Sequence, residues 1–141
     1  MLLSFAASMF GHSGEVQAAS RLKTEDQAAL CAVSAIALAT LGSIRSSRDA
    51  DLRERADGIL EKAGGYSVLP KKIRCEDHWV QLSPRRYGTY MDAFQLSSNR
   101  REILISGGYQ AGPLEGADGF CLFRLDDEEW HLVGCQVLGV S

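Results

Sequence analysis

A chain of 141 residues, 45% hydrophobic and 23% charged, suits one folded domain with its own core and excludes an intrinsically disordered protein. A net charge of −3 excludes the whole-molecule positive field that draws proteins onto nucleic acid or anionic membranes. The charge is uneven, with seven Lys/Arg against three acids in residues 65–101 and one Arg against seven acids in residues 102–141. A basic middle and an acidic end are expected to attract each other in the fold.

The first twenty residues form an apolar segment. Leu2, Leu3, Phe5, Met9 and Phe10 read as a short helix docked on the body or on a partner. The same stretch also admits an atypical signal peptide cut near Val16-Gln17-Ala18, although no Lys or Arg precedes Arg21. The first reading goes with a cytoplasmic protein and the second with a secreted or periplasmic one. The four cysteines, at 31, 75, 121 and 135, show no CxxC spacing. They are expected as buried free thiols, with a Cys121–Cys135 bridge across the last hairpin as the alternative.

Residues 22–64 read as an Ala-rich helical hairpin. Thr24-Glu25-Asp26-Gln27 is a capping-box pattern, and the eighteen residues from Gln27 to Ile44 carry no charge. Alanine is too weakly apolar to make this a membrane span, so a buried central helix is expected. Ser46 or Ser47 is expected to cap a second helix, with Leu52, Ala56, Ile59, Leu60 and Ala63 on its apolar face and Gly64-Gly65 ending it.

Residues 66–141 change to β patterning. Strands are expected at 66–69, 73–82, 89–96, 102–109, 119–125 and 130–140, with a tight acidic turn at Asp126–Glu129. In the last pair, Phe120, Leu122, Trp130 and Leu132 are expected on one face and Phe123, Val133 and Val137 on the other, a doubly covered and central position. The glycines between 107 and 119 read as a long surface connection. The fold class that follows is α+β: a single domain, with the helical hairpin packed on an antiparallel sheet of four to six strands.

Signatures of catalysis are missing. There is no GxSxG elbow, Walker A loop, HExxH or EF-hand loop, and no cofactor is expected. Two Cys and two His (Cys75, His78, His131, Cys135) satisfy zinc chemistry, and His131 and Cys135 share one face of an extended strand. Cys75 and His78 point apart unless a turn at Glu76-Asp77 brings them together, so the four are weak candidates and no metal is expected.

A basic and aromatic cluster remains: Lys71, Lys72, Arg74, Trp79, Arg85, Arg86, Tyr87 and Tyr90. Interleaved cations and rings would serve single-stranded nucleic acid, but the negative total charge disfavours that partner. Trp79 and Tyr90 are expected in the core, leaving Lys71, Lys72, Arg74, Arg85, Arg86 and Tyr87 to receive an acidic protein surface. The function expected is therefore that of a small non-enzymatic binding protein of the regulator, inhibitor or immunity type. The alternative is a small-molecule or enzymatic pocket between helices and sheet, with His78, Tyr90, Asp92 and His131 as its polar groups.

Overall fold

Alanine's helix propensity and the uncharged run build the first element of the computed structural model, which describes residues 22–84 and 86–141. Helix α1 (Thr24–Leu41) buries Leu30, Val33, Ala37 and Leu41 on one stripe. The apolar N-terminal segment, with both of its readings, and Arg85 lie outside the described residues. The capping box does not form. Thr24 is already helical, Lys23 stands at the N-cap, and no side chain caps the helix. Gln27 turns away instead, its Nε2 donating to the Arg74 carbonyl at 2.6 Å.

Helix α2 (Leu52–Ala63) buries Leu52, Ala56 and Ile59. Gly64, at φ 81°, closes it in the left-handed conformation, and Gly65 N–H reaches the Leu60 carbonyl at 2.8 Å. Its N-cap is Asp51 rather than Ser46 or Ser47. Those serines bond elsewhere, as described below.

Seven strands follow: β1 (Ser67–Val68), β2 (Lys72–Cys75), β3 (His78–Gln81), β4 (Gly88–Leu96), β5 (Glu102–Gly112), β6 (Glu115–Asp126) and β7 (Glu129–Val140). Five make an antiparallel sheet in the order β1-β4-β5-β6-β7, and β2-β3 form a separate hairpin. The expected strand at 73–82 is thus two strands, broken at Glu76-Asp77, where Glu76 takes φ 58°.

Alternation along β5 and β6 explains the layering. Ile103, Ile105, Cys121 and Phe123 face α1 and the β2–β3 hairpin, while Leu104, Phe120 and Leu122 face α2. The two helices therefore cover opposite faces of the sheet rather than each other. Each buried Leu, Ile or Phe contributes about 1.5–3 kcal/mol, so a sheet apolar on both faces needs a cover on each. Arg55 of α2 pairs with Glu102 on β5, and Arg124 lies 3.9 Å from the same carboxylate, which ties α2 to the sheet.

The last hairpin is not central, because β7 is an edge strand. A register shift between Leu122 and Phe123 leaves Val133 as the extra residue, moving it to the α2 face with Phe120 and Leu122. Val137 packs in the cluster of Phe123 as expected, Trp130 joins it there instead of facing Phe120 and Leu122, and Leu132 is 44% exposed.

The loop before α2 covers part of this edge. Ser47 Oγ accepts from Cys135 N at 2.9 Å, Ser46 Oγ accepts from Val137 N at 3.0 Å, and Ser47 N donates to the Cys135 carbonyl at 2.8 Å. An unpaired edge invites strand addition, and a covering loop prevents it. Ser47→Ala is expected to lower unfolding free energy by about 1 kcal/mol, read from a urea transition, through loss of the bond to the Cys135 amide.

The glycine-rich stretch is not a long connection. Gly107, Gly108 and Gly112 lie in β5, Gly116 and Gly119 lie in β6, and only Pro113 and Leu114 separate the strands. Gly107 and Gly119 are cross-strand partners. A Cβ on Gly107 would collide with the Tyr90 carbonyl of β4, and one on Gly119 with the Gln136 carbonyl of β7. Glycine is used here for close approach of backbones at irregular pairings.

The cysteines are not free thiols. Cys31 is bonded to Cys75, joining α1 to β2, and Cys121 to Cys135, joining β6 to β7. No helix among the described residues is long and apolar enough to cross a membrane.

Candidate functional site

The β2–β3 hairpin has two chemically opposite faces, as strand alternation requires. Ile73 and Cys75 point inward and are 3% and 6% exposed. Lys72, Arg74 and Trp79 are exposed, with Arg74 directly opposite Trp79 in the ladder. Trp79 is 55% exposed, which corrects the expectation of a core tryptophan. The size of the ring favours burial, but β3 lies outside the main sheet and only one face of its hairpin is covered.

The Lys72 ammonium lies 4.6 Å from the Trp79 ring centroid and the Arg74 guanidinium 5.6 Å from it. A second pair sits on the loop between β3 and β4, where Arg86 lies 5.4 Å from the exposed Tyr87 ring. That loop leaves the hairpin beside Lys71, whose carbonyl accepts from Leu82 N at 2.7 Å and Ser83 N at 3.1 Å. Among the described residues, Lys71, Lys72, Arg74 and Arg86 take part in no ion pair. Their counterparts Arg100 and Arg101 are engaged, Arg100 with Asp26 at 2.9 Å and Arg101 with the Leu125 carbonyl at 2.8 Å. Arg100 thus meets acids of α1, and among the described residues no ion pair joins the basic segment to the acidic end, contrary to the attraction expected from the sequence.

The four residues of the alternative pocket do not converge. His78 is exposed at the hairpin tip, 3.4 Å from the Asp77 carboxylate, and His131 lies on edge strand β7, 4.0 Å from Glu129. Tyr90 and Asp92 lie together on β4. Burial and then the charges of Asp118 and Asp92 raise the Tyr90 phenol pKa, and burial followed by Asp92 pushes Tyr66 up to about 12. The groove between α1 and the β2–β3 hairpin is lined by His78 but by none of the other three.

The zinc quartet fails for a covalent reason: Cys75 and Cys135 belong to different disulfides and offer no thiolate. Among the described residues no cluster of three His, Cys, Asp or Glu side chains could hold a metal.

The Tyr66 shift has a measurable consequence. Its folded pKa lies above the ordinary 10.0, so the neutral phenol is favoured in the fold. This group leaves stability unchanged below pH 10, and stability declines as pH rises from 10 towards 12 because the fold disfavours the phenolate. Tyr66→Phe is expected to flatten that part of the stability–pH curve, measured by urea unfolding at several pH values. A wild-type slope retained in the variant would contradict the assignment.

No known family model, curated protein or solved structure matches this chain.

Proposed function

We propose that the protein acts by binding an acidic macromolecular surface, a protein partner, through the basic and aromatic face of the β2–β3 hairpin. It would work as a small non-enzymatic regulator, inhibitor or immunity-type protein. The observation that carries this reading is the exposed Trp79 beside Lys72 and Arg74, with no carboxylate of the described chain pairing either cation. Tryptophan and arginine dominate the energetics of protein interfaces, because each adds a large contact area and a directed polar or ionic group. A tryptophan left in water costs free energy that a partner would recover. The neighbouring Lys71, Arg86 and Tyr87 extend the same chemistry.

Two disulfides support an oxidising compartment, outside the cell or in a periplasm, over a reducing cytoplasm.

Poly-glutamate serves as a probe for an acidic protein surface. Calorimetric titration is expected to give salt-sensitive binding that weakens about tenfold or more in Lys72→Glu/Arg74→Glu, with a comparable loss in Trp79→Ala. Thermal stability should hardly change, since these side chains are exposed. Equal binding by wild type and both variants would defeat the proposal.

A further inference from the structure

The two disulfides differ in access. Cys121 and Cys135 are 0% and 3% exposed, sealed inside the core. Cys31 is half-buried and, with Cys75, lines an open groove of about 890 Å³ between α1 and the hairpin. Ala28, Ala32 and Leu38 form its helical wall, and His78 stands at its other side. The groove therefore gives a small thiol a route to Cys31 that Cys121 and Cys135 lack.

The same disulfide mounts the candidate binding face. The hairpin shares no ladder with the five-stranded sheet. Its base is held by the Leu82 and Ser83 amides on the Lys71 carbonyl, and by Met91 N on the Leu82 carbonyl. Ile73 and Val80 pack it into the core cluster shared with α1, and towards its tip the covalent and hydrogen-bonded attachments to α1 are Cys31–Cys75 and the Gln27 bond to the Arg74 carbonyl. A two-stranded hairpin alone is marginal in water, so its order depends on what it is packed against.

We propose that Cys31–Cys75 is a redox latch: a dithiol reductant entering the groove opens it selectively and releases the tip of the β2–β3 hairpin from α1. A thiolate of the reductant attacks Cys31 Sγ, the Cys31–Cys75 bond breaks, and Cys75 leaves as a thiolate that takes up a proton. The reductant's second thiol then displaces Cys31 from the mixed disulfide. Two electrons pass to the protein, Cys31 and Cys75 end as thiols, and the reductant ends as a disulfide. Released, Arg74 and Trp79 lose their fixed placement beside Lys72, and binding through this face weakens. That last consequence rests on the function proposed above; the latch itself does not.

The test uses the folded, oxidised wild-type protein with limiting dithiothreitol, trapping of new thiols by alkylation, and mass analysis of the labelled cysteines. Cys31 and Cys75 should be labelled about tenfold faster than Cys121 and Cys135. After selective reduction, amides of residues 72–81 should exchange with deuterium about tenfold faster while β5 and β6 remain protected. Cys31→Ser/Cys75→Ser should show the same exchange pattern. Earlier or simultaneous opening of Cys121–Cys135, or unchanged exchange across the hairpin, would overturn the latch. Poly-glutamate titration separates the two ideas. Binding by the oxidised form that falls about tenfold on reduction supports control of the site, because Lys72, Arg74 and Trp79 grip the probe as one unit. Equal binding by both forms overturns that control. No binding by the oxidised form, with a loosened hairpin on reduction, sinks the binding function and leaves the latch standing.

Discussion

Gly107→Ala is expected to cost about 3–5 kcal/mol, a loss in the range reserved for changes that displace backbone in a core. The new Cβ meets the Tyr90 carbonyl, with Met91 Cα at 3.0 Å and Leu41 Cδ1 at 3.1 Å. Two of these are main-chain atoms of β4, so relief requires separating β4 from β5 or pushing the sheet off α1. A urea transition should move to a much lower midpoint with its slope retained. Gly58→Ala supplies the contrast. Gly58 lies inside α2 with nothing within 4 Å of its added Cβ, and the substitution should stabilise by about 0.5–1 kcal/mol. Equal small effects at both sites would mean that β4 and β5 do not approach as described.

Removing the Cys31–Cys75 bridge is expected to have the next largest effect. It joins residues 44 apart, whereas Cys121–Cys135 joins residues 14 apart. Loop closure in the unfolded chain then favours the longer link, about 4 kcal/mol against about 3 kcal/mol in the chain-entropy account. Cys31→Ser/Cys75→Ser should therefore lower the denaturation midpoint more than Cys121→Ala/Cys135→Ala does. The replacements are matched to environment: Cys31 borders solvent, whereas a hydroxyl at the sealed Cys121 would add its own desolvation cost. A larger loss from the shorter bridge would show that core packing around Cys121 outweighs loop entropy.

Much of this architecture was legible in local chemistry. The uncharged alanine run, the Leu52-Ala56-Ile59 spacing and Gly64-Gly65 specified two helices and the end of the second, because propensity and capping act within a few residues. Most strand positions after Tyr66 followed from alternation and turn residues, although 73–82 is two strands and β6 begins at Glu115. What alternation could not show was long-range placement. The two helices read as a hairpin because they are consecutive, yet the apolar pattern of β5 and β6 on both faces required one on each side. Ser46 and Ser47 carried the composition of a helix cap but accept from amides of β7, 91 and 88 residues away. Gly107 to Gly119 looked like a loop because glycine is common in turns; here it admits close strands.

The candidate site was half legible. Lys71, Lys72, Arg74, Arg86 and Tyr87 were recognisable as a basic and aromatic set, whereas Trp79, named beside them, was assigned to the core. An alternating strand leaves one face outward, and the hairpin turn at Glu76-Asp77 is what places Trp79 opposite Arg74. The signal was present in sequence as the period-two relation between Cys75 and Ile73 inside and Arg74 and Lys72 outside. The pairing of Cys31 with Cys75 carried no such signal, since it depends on the packing of α1 against the hairpin.

On the function proposed, the outward face of the β2–β3 hairpin receives an acidic partner. Amide chemical-shift mapping of the isotopically labelled, oxidised protein during titration with poly-glutamate tests this most directly. The expected result is a set of shifts concentrated in residues 71–87, including the Trp79 indole N–H, that diminish with added salt. Shifts confined to α2, to the β5–β6 turn or to the acidic turn at 126–129, or no shifts at all, would contradict it.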